Sequence, residues 1–542
     1  MHLGMRNLRA GLTLHTRRVT RAASCAALAT GLMALGGCGG GARMLTAEMQ
    51  HPIDRAFVTG PKDCTVVPYI RGLDGPTAIA WDTDGSILIA EGGNYDDEPQ
   101  IIGFKSDGSR FTVYPYGRRM FVDIGKPRFT MYGPIGGMAV HNGLIYVSHR
   151  DENGFGVISA LDRTGGHTTI AAKLNARGDY AITDLAIGMK DRPRLYFGLG
   201  SATNSGVVGI DNWSWVRENP EVHDLPWPRL HLLGYRFDSP NPFSGLFGPG
   251  DIAVTAPFQP FNVSNQTEVK ASDTPNAAIY SCDLNGGDVR VEAHGIRNPV
   301  GLASDGSYTL YFTNQGMKLR GTRPIKNDRD SLLRLIGGAW YGWPDYTTDL
   351  QSVSNPQFQP PVTMIAPTGY SLILPIIDRD ASSDNGAFKM ISPTDTLSGY
   401  VVGKFSPLSG AAKMTFVPKS GPFHKQAGAQ VIVALSGDEA PFDTSGHPFD
   451  SSGGYKVVEV DMDQHKVTDF VKNTGGGPGS RIDPKNQNLL ERPFDPKFGP
   501  DGALYILDIG RLHMHGGRPV YEPGTGKIFR VIPQAAPTMF HD

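Results

Sequence analysis

The feature that most constrains the fold is a β-hairpin unit that occurs six times along the chain. In each copy a short apolar strand is followed by a turn, often with Asp, Asn or Gly, and then by a second apolar strand. The paired segments are 77–81 with 87–90, 136–140 with 144–147, 184–187 with 194–197, 300–303 with 310–312, 413–417 with 430–433, and 496–498 with 503–507. One hairpin cannot bury both of its faces, so the copies must pack against one another. The pattern predicts an all-β fold, a six-bladed β-propeller.

The spacing between the hairpins is irregular, which predicts long inter-strand insertions, the largest at 206–290 and 340–410. The chain has 68 Gly and 41 Pro, as expected where many short strands are joined by tight turns. A β-sandwich would also explain the hairpins, but it would not explain their shared internal motif. The segment 526–531 predicts a last strand that completes a blade.

The beginning of the chain has the pattern of an export signal. The first 37 residues contain five Arg and no acid, with an apolar run at 25–35. The following Leu-Gly-Gly-Cys matches a bacterial lipobox, so we expect Cys38 to be lipidated and the protein to be a lipoprotein that faces the periplasm. A plain signal peptide with an incidental cysteine is the alternative. The expected organisation is a signal peptide at 1–37, a tether and lead-in at 38–65, the propeller at 66–533 and a loose tail at 534–542.

Charge and cysteine content limit the partners. Removal of the first 37 residues takes away five Arg and no acid, so the formal net charge changes from −2 to −7. A mildly acidic domain argues against nucleic acid as a partner. Beyond Cys38 only Cys64 and Cys282 remain, and their positions leave open whether they pair.

The repeated hairpin also predicts which residues share a face. In an antiparallel hairpin, the residues before the first strand and after the second strand lie at the same end. Six such ends should meet near the propeller axis and form a polar ring, the default position for a site. Its members are Glu91, His149, Arg150, Tyr180, Asp184, Ser201, Asn204, Arg297, Asn298, Asn314, Gln315, Ser436, Asp438, Arg492 and Asp508. Any single member is also explained as a turn cap, but two arginines from separate units favour a carboxylate-bearing ligand.

Several longer segments carry a resemblance to a known family. Residues 295–302, GIRNPVGL, look like the pattern G-x-R-N-P-x-G-L of the glucose/sorbosone dehydrogenase family. The segments 200–209, 323–330, 338–345 and 492–502 resemble further family segments in the same order. The resemblance runs from about residue 75 to residue 533 and implies a six-bladed propeller that binds pyrroloquinoline quinone (PQQ) and calcium.

The resemblance assigns roles to particular residues. Arg297 and Asn298 match the family's Arg-Asn pair at the quinone, and Arg492 matches an arginine that binds a cofactor carboxylate. Gln315, Gly316 and Met317 fall where the family holds the cofactor and, through backbone carbonyls, its calcium. A carbonyl site tolerates changes of side chain.

Three positions depart from the family. Tyr180 stands where the family has its catalytic His, and a phenol is a poor general base at neutral pH. The segment 433–438 lacks the cofactor-binding Lys, and Phe494 stands about where a second Arg is expected. His149 is the one residue of the neighbouring hairpin that offers a substitute base.

Three functions therefore remain open at the level of sequence. The first is a PQQ-dependent oxidoreductase that oxidises a sugar or an aldehyde in the periplasm by hydride transfer to the quinone. The second is a catalytically altered propeller lipoprotein that binds a ligand or a carbohydrate polymer without turnover. The third is a different enzyme on this fold, such as a metal-assisted lactonase or hydrolase. The expected partners are a small sugar or aldehyde and, through the lipid anchor, a membrane.

Overall fold

The described part of the chain forms six antiparallel sheets that are the blades of a six-bladed β-propeller. The computed structural model describes residues 41–94, 98–116, 129–188, 192–227, 229–243, 251–263, 268–307, 309–361, 377–379, 399–425, 428–438, 453–515 and 518–534. The expected signal peptide, Cys38 and the tail from residue 535 lie outside the described residues.

Each of blades 1–3 has four strands in chain order from the axis outward, and blade 3 has a fifth strand, added in parallel. Blade 1 comprises Pro76–Trp81, Ile87–Glu91, Gln100–Phe104 and Arg110–Tyr114. Blade 2 comprises Tyr132–His141, Leu144–Arg150, Gly156–Leu161 and His167–Leu174. Blade 3 comprises Ile182–Gly188, Arg194–Leu199, Ala278–Asp283, Arg290–His294 and Ala339–Trp340.

The inner strands of blades 4–6 are the last three predicted hairpins, and blades 5 and 6 take their outermost strands from the N-terminal segment. Blade 4 comprises Leu302–Ser304, Leu310–Asn314, Arg329–Arg334 and Val401–Pro407. Blade 5 comprises Ala411–Phe416, Gln430–Leu435, Lys456–Asp461, Lys466–Asn473 and Val58–Thr59. Blade 6 comprises Pro493–Phe498, Leu504–Asp508, Gly526–Pro533, Cys64–Leu73 and Arg43–Met44.

The ring is closed, because the innermost strand of every blade contacts the innermost strand of both neighbouring blades. Apolar side chains fill the space between the blades. For example, Leu88 and Ile101 of blade 1 belong to one buried cluster with Ile145 and Val147 of blade 2. Full burial of one such side chain stabilises the fold by about 1.5–3 kcal/mol.

The closing blade combines both ends of the propeller. The predicted C-terminal strand is confirmed as Gly526–Pro533, and its outer neighbour is the N-terminal strand Cys64–Leu73. The expected boundary between residues 65 and 66 therefore falls inside a strand. The segment expected to be a tether supplies further short strands to blades 5 and 6. The third strand of blade 6, Gly526–Pro533, needs a hydrogen-bonding partner on its outer edge, and the N-terminal segment supplies that partner.

The local sequence explains the inner hairpins. Asn142 and Gly143 both have positive φ, 49° and 76°, as a two-residue type I′ turn requires. That turn joins the two inner strands of blade 2 directly. Cys64 and Cys282 are both buried, in blades 6 and 3, and neither forms a disulfide within the described ranges. Burial raises the pKa of the Cys282 thiol to about 11.

The insertions contribute short elements outside the blades. They are the α-helices Trp213–Val216 and Gly479–Ile482, the 3-10 helices Ala47–Met49, Ile210–Asn212 and Pro356–Phe358, and the strands Leu230–Leu232, Phe237–Pro240, Ile252–Thr255, Glu268–Val269, Ile377–Arg379, Leu512–His515 and Arg518–Tyr521. Over the described ranges, no helix combines the length and the apolar character that a membrane crossing requires.

Candidate functional site

A central cavity opens on the face where the predicted polar ring lies, and all six blades contribute to it. Its volume is about 200 Å³. It is lined by Thr77, Gly93, Pro134, Ile135, Gly136, Gly178, Asp179, Tyr180, Ala181, Ile182, Thr183, Ser214, Trp215, Asn298, Val300, Gln315, Arg320, Ser436, Phe494, Ile509, Arg518, Pro519 and Tyr521. The wall combines hydrogen-bonding groups, apolar side chains and the charged residues Asp179, Arg320 and Arg518. A wall of this kind suits a small organic ligand.

Tyr180 lies between the cavity and the guanidinium group of Arg297. Arg297 is 1% exposed, and its Cζ lies 4.5 Å from the centre of the Tyr180 ring. Arg297 Nη2 donates to Tyr180 Oη and to Asn204 Oδ1, the latter at 2.9 Å. Arg297 Nε donates to the Asn204 carbonyl at 3.0 Å. The charge of Arg297 therefore acts on the cavity through the phenol oxygen of Tyr180.

A second guanidinium group approaches the same phenol oxygen. Arg320 lines the cavity, and its Nη2 lies 3.4 Å from Tyr180 Oη. Arg320 also forms buried ion pairs with Asp179 and Asp211. Burial raises the pKa of the Asp211 carboxyl, and the charge of Arg320 opposes that rise. The phenol oxygen is thus a hydrogen-bond acceptor for two cations at the cavity wall.

Two glycines allow Tyr180 to take this position. A Cβ at Gly200 would lie 2.3 Å from the Cβ of Tyr180, and a Cβ at Gly178 would lie 2.1 Å from the Cα of Ala202. Both distances are shorter than nonbonded carbon atoms tolerate. The loop before the first strand of blade 3 therefore packs directly on the loop after its second strand.

Asn298 and Gln315 form the neighbouring part of the wall. Asn298 Nδ2 donates to Gln315 Oε1 at 2.9 Å, and Gln315 Nε2 donates to the Ala411 carbonyl at 3.1 Å. These bonds fix the two amides between blades 4 and 5. Both residues match their predicted position on the cavity face.

The loop after Gln315 presents buried carbonyl oxygens. Gly316 N donates to Asp330 Oδ1 at 2.9 Å, and Met317 N donates to Asp328 Oδ2 at 2.7 Å. Burial raises the pKa of Asp328 to about 8 and also raises the pKa of Asp330. Within the described ranges, no group donates a hydrogen bond to the carbonyl oxygen of Gly316 or Met317. Unsatisfied buried carbonyls are the ligands that a calcium ion uses.

Arg492 lies on the same face, beside the cavity residue Ser436. Its Nη1 donates to the carbonyl of Ser436 at 3.2 Å and to the carbonyl of Asp438, and its Cζ lies 5.2 Å from the Tyr455 ring centre. Among the described residues, no carboxylate forms an ion pair with Arg492 or Arg297. Buried cations that form no ion pair are costly unless another charge or a ligand compensates them.

His149 lies away from the cavity, which corrects its expected position as a substitute base. Its ring nitrogens are hydrogen-bonded to the Arg150 carbonyl at 2.8 Å and to Ser159 Oγ at 2.9 Å. Burial lowers the pKa of His149 to about 4. The preceding residue, Ser148, contacts blade 3 through the carbonyl of Thr183. Side chains alternate along a strand, so His149 faces the other side of blade 2.

Oppositely charged side chains lie on the inner strands around the axis. Lys413 Nζ lies 3.1 Å from Asp184 Oδ1, and Lys497 Nζ lies 3.2 Å from Asp495 Oδ1. Lys413 is fully buried and lies 5.9 Å from the ring of Phe494, which lines the cavity. This axial cluster links blades 3, 5 and 6. The repeated hairpin predicts Asp184 in the polar ring, but no sequence pattern indicates its partner.

Sequence reasoning missed the part of the wall that comes from insertions. Trp215 Nε1 donates to Asp179 Oδ1 at 2.7 Å, and Arg518 Nη2 donates to the Ser214 carbonyl at 3.1 Å. With Arg320, these residues lie outside the repeated hairpin, so its end positions could not identify them. The one available signal was the large insertion predicted from residue 206.

Comparison with known proteins gives structural neighbours only. No protein-family model matches the chain, and no curated protein matches it. The PQQ domain of pyranose dehydrogenase from Coprinopsis cinerea is similar at a TM-score of 0.45 and 14% identity, with 89% of this chain and 98% of that chain covered.

Two further structural neighbours have similar TM-scores and sequence identities. A structure of the Carbohydrate-Active Enzymes Family AA12 from Trichoderma reesei has a TM-score of 0.48 and 13% identity, covering 88% of this chain and 98% of that chain. The PQQ-bound aldose sugar dehydrogenase from Streptomyces coelicolor has a TM-score of 0.43 and 13% identity, covering 88% of this chain and 99% of that chain. At such values the function must be argued from the residues of the site.

Proposed function

We propose that the protein is an oxidoreductase that uses PQQ and calcium in the central cavity to oxidise a sugar or an aldehyde. The observation that carries this proposal is the pair of buried guanidinium groups, Arg297 and Arg492, on the cavity face. Neither forms an ion pair with a described carboxylate, while the nearby carbonyls of Gly316 and Met317 accept no hydrogen bond from the described chain. An anionic ligand would compensate the charge of the two guanidinium groups, and a cation bound to that ligand would be coordinated by the two carbonyl oxygens.

The residues present fit this cofactor in most respects. The carbonyls of Gly316 and Met317 would hold calcium, and the amides of Asn298 and Gln315 would contact the quinone. Arg492 binds carbonyls through Nη1, and its other guanidinium nitrogens would bind a carboxylate. The segment 433–438 lacks the expected Lys, and Phe494 stands about where a second Arg is expected, so the cofactor would be bound by fewer charged contacts.

In the proposed oxidation, the cofactor and the chain would each take up one part of what the substrate loses. PQQ, when bound, accepts a hydride from a hydroxylated carbon. The chain must take up the hydroxyl proton, and Tyr180 Oη is the group placed to receive it in its ionised form. Arg297 and Arg320 lie beside that oxygen and would compensate the negative charge that the phenolate carries before it takes up the proton. Trp215, Phe494 and Tyr521 supply aromatic surface to the wall of the same cavity.

Cofactor binding tests this proposal through Arg492. The Arg492→Met variant should bind PQQ about tenfold to a hundredfold more weakly, because one charge-assisted contact contributes about 1.5–3 kcal/mol. Calorimetric titration with PQQ at saturating calcium measures the effect. Arg290→Met is the matched control, since Arg290 is an exposed arginine of blade 3 that pairs with Asp288. The proposal fails if the wild-type protein shows no PQQ binding in the presence of calcium.

A second function is favoured by one specific observation. The ring of Tyr180 packs on Arg297. Tyr180 stands at the position where the glucose/sorbosone dehydrogenase family, which the sequence resembles, has a histidine base. On this account the cavity binds a neutral sugar through its amides and hydroxyls, without turnover. Calorimetry would then show sugar binding to the protein without PQQ, and no oxidation after PQQ is added.

Export is a separate proposal that rests on the sequence of the first 38 residues. We propose that Cys38 carries a lipid that anchors the protein to a membrane facing the periplasm. Cys38→Ala should move the protein from the membrane fraction to the soluble fraction without changing its thermal unfolding, because the propeller begins after residue 40. Unchanged membrane fractionation of this variant would contradict lipidation at Cys38.

A further inference from the structure

Blade 6 carries a second polar cavity, of about 390 Å³, apart from the central one. It lies where the N-terminal and C-terminal strands pair, between Gly72, Gly526 and the segment 480–491. We name it the blade 6 cavity. Its charged lining residues are Arg71, Lys485, Arg511, Lys527, Asp483 and Glu491. Four cations thus face two carboxylates.

The strand register places like charges directly opposite each other at this cavity. Arg43 is the partner of Arg71 on the neighbouring strand, and Arg71 is the partner of Lys527 on the next strand. Like charges in directly opposite positions destabilise a sheet. Burial lowers the pKa of Lys527 and of Arg71, nearby cations lower both further, and the carboxylates of Asp508 and Glu491 oppose the effect at Lys527. Asp508 is the partner of Lys527 on its other side, so the row holds three cations and one acid.

The cations of the cavity have neutral partners. Lys527 Nζ donates to the Leu489 carbonyl at 2.6 Å, and Arg511 Nη2 donates to the Pro484 carbonyl at 2.5 Å. Arg71 Nη2 donates to Asn488 Oδ1, while its buried Nε has no hydrogen-bond partner among the residues that the structure describes. Within the described chain, none of the four cations forms an ion pair.

The two carboxylates of the lining form no ion pair with these cations within the described chain, and each accepts hydrogen bonds from neutral groups. Glu491 accepts hydrogen bonds from Ser480 N at 2.7 Å and from Ser480 Oγ at 2.5 Å. Asp483 accepts one from Lys485 N at 3.0 Å. The cavity therefore keeps a positive excess in a volume that holds a small anion.

We propose that the blade 6 cavity binds a phosphate-type oxyanion through Arg71, Lys485, Arg511 and Lys527. Arginine and lysine donors around one cavity are the groups that recognise phosphate oxygens. Inorganic phosphate and the phosphate of a lipid headgroup share this chemistry, and the experiment separates these two sources. The proposal is independent of the oxidoreductase function, since the central cavity shares no residue with this one.

Calorimetry with the full chain tests the site. Inorganic phosphate should bind the wild-type protein at constant ionic strength. Lys485→Gln combined with Arg511→Gln should weaken binding by about a hundredfold, because each of the two cations contributes about a factor of ten. Lys466→Gln combined with Lys472→Gln removes two charges from blade 5 and should leave binding unchanged. Thermal unfolding in chloride checks that each variant is folded.

Vesicle sedimentation identifies the source. Binding to phosphatidylglycerol vesicles but not to phosphatidylcholine vesicles, abolished in the Lys485 and Arg511 double variant, supports a lipid phosphate. Phosphate binding without vesicle binding supports a free anion. The proposal is overturned if the wild-type protein binds neither, or if the double variant binds phosphate as the wild type does.

Discussion

The Tyr180→Phe variant should lose sugar oxidation by the PQQ-loaded protein while it still binds the cofactor. The phenyl ring keeps its packing on Arg297, but the oxygen that accepts hydrogen bonds from Arg297 and Arg320 is gone. Loss of one acid–base group costs about 10²–10⁴ in kcat. Dye-coupled steady-state kinetics measures kcat and KM, and calorimetry measures the Kd for PQQ.

The pH profile adds a readout that a purely structural role would not change. The Tyr180→His variant should show turnover that rises with pH near pH 6.5, where an imidazole ordinarily loses its proton and can then accept one. The pH profile of the wild-type protein should lack that step. Tyr341→Phe is the control, because Tyr341 is a buried tyrosine outside the cavity that donates to the Arg334 carbonyl. A Tyr180→Phe variant with wild-type kcat would exclude Tyr180 from the reaction.

The Lys413→Met variant should be the most strongly destabilised of these single substitutions. It removes the fully buried ammonium group that faces Asp184, and it leaves the axial cluster with two carboxylates and one ammonium group. Removal of one partner of a buried pair costs about 3–5 kcal/mol. Denaturant unfolding at neutral pH measures the loss of free energy of unfolding.

Two further variants show that charge rather than packing causes this loss. Adding Asp184→Asn to Lys413→Met should recover part of the stability, because the uncompensated charge is then removed. Lys472→Met, an exposed lysine of blade 5, should change stability by no more than about 1 kcal/mol. A Lys413→Met variant as stable as the wild type would show that the axial pair contributes nothing.

The repeated hairpin was sufficient to predict the blades but not their closure. The structure of the turn at Asn142 and Gly143, and of the alternating apolar strands around it, is determined by the local sequence. The structure of the strand Cys64–Leu73 is not, because its partner Gly526–Pro533 lies at the other end of the chain. Nothing in the sequence around residue 64 indicates a pairing over so long a separation.

The candidate site likewise combines residues that the repeated hairpin predicts with residues that it could not predict. Tyr180, Asn298, Gln315 and Ser436 lie at hairpin ends, and the structure brings them together at the central cavity. Arg320 reaches the cavity from a long connection between two strands, so the repeat could not locate it. The positions of Arg297 behind Tyr180 and of His149 outside the cavity depend on side-chain direction.

The central claim is that the cavity binds PQQ with calcium and oxidises a sugar or an aldehyde. The most direct test loads the purified wild-type protein with PQQ and calcium, confirms occupancy from the quinone absorbance, and measures dye reduction with a panel of aldoses and aldehydes. We expect substrate-dependent reduction that requires both PQQ and calcium and is lost in Tyr180→Phe. Full PQQ occupancy without dye reduction by any substrate would contradict the claim and favour a binding protein.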